Sequence, residues 1–338
     1  MAMQQNADLK PYNTFGIAVK ADRLARFSTV AELRALLAAP DVTNAPLLIL
    51  GGGSNILFTQ DFHGMVLLNE MPGIAVVQEN EDHVWVKAGA GVVWHEFVQQ
   101  CVDQGWGGVE NLSLIPGKVG AAPMQNIGAY GVEIKDTFSS LEAIRVADGE
   151  VITFDKAACA FGYRESFFKR EGKGQYVILS VTFRLNKNPV LNTSYGNIKQ
   201  ELDSMGIAQP TLRDVSNAVI AIRRSKLPDP AVLGNAGSFF KNPVVPVALA
   251  DRIKAEHGDL VTYPAGDGLV KLAAGWLIER AGLKGYSLGT HAVHDRQALV
   301  LVNHGGATGH ELYALSEHVL RTVKARFGVD LEREVNIL

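Results

Sequence analysis

A chain of 338 residues has room for two or three domains, each large enough to bury a core of its own. Apolar residues at 47% and charged residues at 20% are the balance of an ordinary folded protein, which excludes extended disorder. Lys and Arg total 32 against 35 for Asp and Glu, a net charge of −3 that excludes a general basic field for nucleic acid or an anionic membrane; any phosphate must be bound locally.

Met1 to Lys10 is polar and lacks the apolar centre of a signal peptide, and no apolar run approaches the roughly 20 residues of a membrane span. A cytoplasmic protein without a membrane partner is expected. Asn13 to Ser28 reads as extended, and Thr29-Val-Ala-Glu32 has the capping-box pattern that opens a short helix, which Pro40 is expected to end. Pro46 to Leu50 reads as a strand running straight into Gly51-Gly-Gly-Ser-Asn55, a turn that glycines make at low cost. Three β-rich segments follow, at Met65 to Asn69, Ile74 to Gln78 and His83 to Lys87, then an amphipathic helix from Val92 to Asp103. Cys101 on that helix and Cys159 have no partner at CxxC spacing, so neither a disulfide framework nor a thiolate metal site is expected.

Gly105 to Gly131 shows little periodicity and is too apolar for a disordered linker, so it reads as a long functional loop. Strands are predicted at Leu141 to Val146, before a hairpin turn at Asp148-Gly149, and at Tyr176 to Leu185. Thr211 to Ser225 reads as a helix, and Leu227-Pro-Asp-Pro230 as a breaker and domain boundary. Helices near Val247 to His257, Ala273 to Ala281 and Gly309 to Phe327 then alternate with an apolar strand at Ala298 to Val302.

Several common motifs fail by letter. Ile56 stands where GxGxxG needs its third glycine, and neither Gly117-Lys118 nor Gly172-Lys173 has the glycine of a P-loop. His95-Glu96 and His310-Glu311 have Gln99 and Ala314 where a zinc helix needs its second histidine, and Ser238 follows Ala236 where a nucleophile elbow needs glycine. No metal is expected. Gly51 to Asn55 and Ile115 to Gly131 both offer consecutive backbone N–H groups for an anion, although the first alone reads equally well as a plain tight turn; together they favour a dinucleotide cofactor. Tyr163-Arg-Glu-Ser166 is equally a helix end with a solvated arginine, Ser238 a turn-capping serine and Glu334 a strand-face carboxylate. His291 and His294 read as solvated or substrate-facing, and the charges of Gly309 to Phe327 as a solvated face.

Taken in order, Gly51-Gly-Gly-Ser-Asn55, Ile115-Pro-Gly117 with Gln125-Asn-Ile-Gly-Ala-Tyr-Gly131, Tyr163-Arg164, Ile222-Arg-Arg-Ser-Lys-Leu-Pro228, Gly237-Ser-Phe-Phe-Lys-Asn-Pro243 and Glu334 resemble the UDP-N-acetylenolpyruvoylglucosamine reductase family. These are flavoenzymes of peptidoglycan precursor synthesis, also called UDP-N-acetylmuramate dehydrogenases. The likeness covers nearly the whole chain, and six weak motifs in the right order make it specific. It implies an α+β fold: a two-part FAD-binding module of the vanillyl-alcohol-oxidase (PCMH) type plus a C-terminal α+β substrate-binding domain. The implied divisions are 1–70 with 327–338, then 71–224, then 225–326. Tyr195-Gly196 is similar to the mobile tyrosine loop of the family's first type. Gly52 departs from the family, where an acidic residue is common, and relatives often continue beyond the position of Leu338.

The resemblance further implies NADPH as hydride donor, noncovalent FAD as relay, and a small nucleotide-sugar substrate on a monomeric enzyme. Hydride reaches the β-carbon of an enolpyruvyl ether and a proton reaches its α-carbon. Arg164 and Glu334 match the groups that meet the negative charge developing towards the substrate carboxylate, and Ser238 matches the proton donor. For the cofactor it implies Gly51, Gly53, Ser54, Asn55, Ile115, Pro116, Gly117, Gly120, Ala121, Gln125, Asn126, Gly128 and Arg223. For the substrate it implies Tyr195, Lys226, Asn242, Lys284, His294 and Gln297. Two rivals stand beside it. One is another FAD-dependent oxidoreductase of the superfamily acting on a sugar or alcohol, although no histidine between Gly105 and Gly131 is present to tether flavin covalently. The other is a noncatalytic nucleotide-sugar binder, which would not need Arg164, Ser238 and Glu334.

Overall fold

The first helix, Val30–Leu37, begins where its capping box requires: the Thr29 hydroxyl accepts the Glu32 N–H, and the Glu32 carboxylate accepts the N–H groups of Ser28 and Thr29. It is capped at Ala38, two residues ahead of Pro40 as expected, and Pro40 in turn starts a further short helix, Pro40–Thr43. A proline ring is preset for a helix's first turn and lacks an N–H that would go unused there. The computed structural model describes residues 3–43 and 45–338.

By internal contacts the chain divides into two units, neither continuous in sequence. The first takes Met1–Ala7, Lys20–Gly53 and Phe62–Ser225; the second takes Asp8–Val19, Ser54–Asp61 and Lys226–Leu338. Among the first unit's described residues are sheets of four and five strands. In the four-stranded sheet the order is Gln4–Asp8, Lys20–Phe27, Phe62–Asn69, Leu47–Leu50, and Phe62–Asn69 runs parallel to both of its neighbours. Its residues Met65 to Leu68 are all buried, the continuous apolar run expected of a central parallel strand. Leu33, Leu36 and Leu37 of the capped helix pack with Ala25, Phe27 and Leu67 of this sheet.

The five-stranded sheet is antiparallel, in the order Val151–Asp155, Phe138–Arg145, Tyr176–Asn186, His83–Gly89, Ile74–Glu79. Helix Trp94–Asp103 buries Trp94, Phe97, Val98 and Cys101 in the same core, where the rings of Trp94, Phe97 and Phe183 meet with centroids 4.9 to 5.7 Å apart. The long segment after this helix is not featureless. It folds into short 3-10 turns at Glu110–Leu112 and Val119–Gln125 and a minimal hairpin of Gly128–Ala129 with Val132–Glu133. Helix Ile198–Ser204 has no counterpart in the sequence reading; it packs with Leu212–Lys226 through Ile198, Leu202, Val215 and Val219.

The second unit is built from short pieces. Strands Gly234–Ser238, Val300–Asn303 and His291–Val293 form one antiparallel sheet, and Val244–Pro246, Leu269–Leu272 and Thr262–Pro264 form another. Helices Val247–Glu256, Ala274–Arg280 and Gly309–Phe327 accompany them. The last strand, Asn336–Ile337, pairs in parallel with Ile56–Leu57, immediately after the glycine loop. Among the described residues no helix is long and apolar enough to cross a membrane.

Candidate active site

In the first unit, strand Leu47–Leu50 delivers Gly51 to Gly53 against the second glycine segment. A Cβ on Gly52 would lie 3.2 Å from the Gly117 Cα, and one on Gly51 would lie 3.7 Å from the Lys118 Cβ. The two loops therefore meet closely, and a side chain at Gly52 would need the Gly117 backbone to shift slightly. Gly117 has φ +111°, which glycine adopts freely and side chains rarely tolerate, and its carbonyl accepts the Trp94 N–H at 3.0 Å, so the loop is anchored in a conformation that excludes a Cβ. Neither loop contains a carboxylate, and the Lys118 ammonium donates to the Asn69 carbonyl while burial holds it below the ordinary lysine range. A backbone cradle of this kind, charge-poor and open to close approach, fits the pyrophosphate of a dinucleotide.

The structure separates residues that present the cradle from residues that build it. Gly120 and Ala121 spend their N–H groups on the carbonyls of Ala90 and Lys118, and a Cβ on Gly120 would fall 2.5 Å from that of Ala90. Asn126 is fully buried in a left-handed turn. Its amide donates to the Glu133 carboxylate and the Gly162 carbonyl, both at 3.0 Å, and its oxygen accepts the Lys135 N–H. Arg223 reaches from helix Leu212–Lys226 to donate Nε to the Leu114 carbonyl at 3.1 Å, one residue before Ile115-Pro-Gly117. Burial lowers the proton affinity of Arg223 and raises the pKa of the Tyr130 phenol, and the hydrogen bond between them opposes both shifts.

Tyr163-Arg-Glu-Ser166 is not a helix end. Gly162 and Glu165 exchange backbone hydrogen bonds across a tight turn, and Arg164 takes φ +55°. Its Nη2 donates to the Gly128 carbonyl at 2.8 Å, and Ser166 Oγ donates to the Met124 carbonyl at 2.7 Å. The turn is thus bonded at two points to the segment from Met124 to Gly131, which brings Arg164 to the cofactor segment within one unit. Tyr195 also reaches that loop, since a Cβ on Gly131 would lie 3.1 Å from its own.

In the second unit, Ser238 ends strand Gly234–Ser238, opposite Val300. The C-terminal segment runs beside the residues that follow it: Glu334 N donates to the Phe239 carbonyl at 2.8 Å, and Lys241 N to that of Glu332. Ser238 and Glu334 are thereby placed one residue out of register on adjacent chain segments. Asn55 Nδ2 donates to the Glu334 carbonyl at 3.3 Å. The helix Gly309–Phe327, read from sequence as a solvated face, grips the neighbouring Arg333 through Ser316 Oγ at 2.8 Å, Glu317 at 2.5 Å and the Tyr313 ring. Its charges are partly committed to holding this segment.

Asn242 and Gln297 come together at the start of helix Ala274–Arg280. Asn242 Oδ1 accepts the Ala274 N–H at 2.9 Å, and a Cβ on Gly275 would lie 3.1 Å from Gln297 Oε1. The solvated reading of His291 and His294 is overturned, since both are 5% exposed. His294 Nδ1 accepts the Gln297 N–H at 3.2 Å, shaping that turn, and burial holds its pKa below the ordinary histidine value. Lys284 is exposed on an ion pair with Glu279, and Lys226 is exposed at the end of its helix.

Glycine cradle, mixed sheets and an arginine held on the cradle fit a dinucleotide-binding protein, and its relatives set the class: an FAD-containing, NADPH-dependent oxidoreductase with a two-part flavin module and an α+β C-terminal region. An FAD binding domain family matches residues 21–155, and the C-terminal domain of UDP-N-acetylenolpyruvoylglucosamine reductase matches residues 229–338. Full-length relatives of that name include proteins of Burkholderia cenocepacia, at 56% identity over 96% of this chain and 94% of the relative, and of Pseudomonas aeruginosa, at 53% over 100% and 99%. The chain belongs to the UDP-N-acetylenolpyruvoylglucosamine reductase family. The solved structure of the Thermus caldophilus reductase covers 99% of this chain and 98% of its own at 23% identity with a TM-score of 0.67. A vanillyl-alcohol-oxidase-type flavoprotein of Myceliophthora thermophila covers 91% of this chain and 70% of its own at 14% identity with a TM-score of 0.52. Both share the fold.

Proposed function

We propose that this chain reduces the enolpyruvyl group of UDP-N-acetylglucosamine enolpyruvate to UDP-N-acetylmuramate, as a cytoplasmic monomer using NADPH. The observation that carries the reading is 53–56% identity, over 94% or more of both chains, to reductases named for that substrate. FAD, bound noncovalently, supplies the two-electron relay between NADPH and the substrate double bond. The Gly51 to Asn55 and Ile115 to Gly128 segments hold the FAD, the N–H groups of Gly120 and Ala121 being spent on shaping the cradle rather than on its diphosphate.

As hydride adds to the β-carbon, negative charge develops at the α-carbon and spreads into the adjacent carboxylate. Arg164 offers that carboxylate a planar set of donors, and its bond to the Gly128 carbonyl fixes the guanidinium before substrate arrives. Glu334 contributes as a protonated donor or by holding one. Ser238 delivers the proton to the α-carbon, completing the saturated lactyl ether. Tyr195, Lys226, Asn242 and Gln297 hold the nucleotide sugar, with Lys284 and His294 as further contacts. The division into 1–70 with 327–338, 71–224 and 225–326 is proposed to follow the same roles.

Ser238→Ala tests the assignment. Reduction by NADPH should be unchanged, and reoxidation by substrate should slow about 10²- to 10⁴-fold in stopped-flow absorbance. An equal loss in both halves would assign Ser238 to binding or folding instead.

A further inference from the structure

His95-Glu96 lacks the second histidine of a zinc helix, Gln99 standing in its place. The structure gives His95 a partner: Leu114 N–H donates to its Nδ1 at 2.9 Å. Leu114 has φ +59°, a left-handed conformation in which a bulky L side chain crowds its own backbone. Such a residue stays there only when its surroundings hold it. Both faces of its backbone are held, the N–H by His95 and the carbonyl by Arg223 Nε at 3.1 Å. The next residues are Ile115-Pro-Gly117, the segment that meets Gly52.

We infer that His95 is a positioning residue for the FAD cradle, holding Leu114 in its left-handed turn so that Ile115-Pro-Gly117 enters the cradle already shaped. The inference rests on the proposed assignment of that segment to FAD. Helix Trp94–Asp103 is rooted in the core by Trp94 and Phe97, so the imidazole is a fixed point, and the cradle inherits its rigidity from the helix. To accept from Leu114, the ring must be neutral with its proton on Nε2. Burial, with Arg224 and Arg223 of the neighbouring helix, holds its pKa below the ordinary histidine value, and Glu96 opposes them. The acceptor therefore persists through neutral pH. In acid, a protonated ring would turn an N–H towards the Leu114 N–H, and the clamp would be lost.

The experiment is titration of apoprotein with FAD, followed by flavin fluorescence, for His95→Asn, His95→Leu and Gly117→Ala. Asparagine keeps an acceptor oxygen near the place of Nδ1 and should bind FAD within about threefold of the native chain. Leucine should weaken binding about 5- to 30-fold, the equivalent of the left-handed strain that Leu114 would otherwise release. If the leucine variant does not fold, His95→Gln, whose oxygen lies one bond too far, takes its place with the same expected loss. Native affinity should also fall below the His95 midpoint while that of His95→Asn stays flat with pH. Native affinity in His95→Leu, or in the substituted glutamine variant, with a loss in Gly117→Ala would overturn the inference and leave the FAD assignment standing. Native affinity in both would overturn the assignment and the inference with it.

Discussion

Replacing Gly117 by alanine puts the cradle's geometry to a quantitative test. At φ +111° an alanine is held in sparsely populated backbone space, a cost of about 1 to 3 kcal/mol. Rotation out of it is opposed, because the Gly117 carbonyl accepts the Trp94 N–H at 3.0 Å and its Cα is already in close approach to Gly52. The strain is then divided between the free protein, as lost stability, and the loaded one, as weaker FAD binding. If the free loop relaxes fully, the whole amount appears in the dissociation constant, a weakening of about 5- to 150-fold. Gly105→Ala supplies the control. That glycine has φ +75° with no atom within 4 Å of a new Cβ, so an alanine there adds left-handed backbone strain alone, outside the cradle. Both variants should shift urea denaturation of the apoprotein, and only Gly117→Ala should weaken FAD in fluorescence titration. Equal loss of stability with native FAD affinity in both would refute the cradle and reduce the loop to a tight turn.

Removing Arg164 or Glu334 should each slow substrate-dependent flavin reoxidation about 10²- to 10³-fold, and removing both should cost less than the two losses combined. Strictly additive losses in single-turnover absorbance would separate their roles. Thr29→Ala should cost about 1 kcal/mol in urea denaturation through loss of the helix cap. Hydrogen bonds from Ser28 and Thr29 lower the Glu32 pKa from its free value of 4.5, so its contribution is present above that pH and lost as pH falls through the lower folded value. Glu32→Gln should flatten that part of the stability profile, and an unchanged profile would contradict the linkage. Burial raises the Cys101 thiol strongly and pushes Cys159 up to about 12. Neither should react with a disulfide reagent at pH 8 until guanidinium unfolds the chain, and rapid labelling of native protein would contradict their burial.

Legibility in the sequence followed how local each determinant is. Thr29 with Glu32 specifies a helix start within four residues, and Pro46 to Gly53 specifies a strand and its turn; both were readable. The strands Val244–Pro246, Thr262–Pro264 and His291–Val293 were not, because three residues carry no period and become strands only through partners elsewhere in the chain. Pro40 is legible as a stop but not as a start, because the ring that cannot continue one helix suits the first turn of another. The cradle's glycines were visible as letters, but the apposition of Gly52 with Gly117 and the hold of Arg164 on Gly128 join residues far apart in sequence. His95 gave no signal for this role, since the partner that distinguishes it is a backbone N–H on a separate segment.

The interleaving of the two units also has a biosynthetic consequence. Leu9, Phe15, Ile17, Leu57 and Phe58 belong to the second unit and are almost wholly buried, yet they leave the ribosome before any of Phe62–Ser225 and before the Lys226–Leu338 segment that completes their unit. At about 5 to 20 residues per second, synthesis of Phe62–Ser225 alone takes on the order of ten seconds. Throughout that interval two apolar segments must remain available without pairing wrongly. Truncation after Ser225 would strand them permanently, and Lys226–Leu338 made alone would lack them. Chaperone dependence and the fate of stalled chains should therefore differ sharply from those of a protein whose units follow one another along the message.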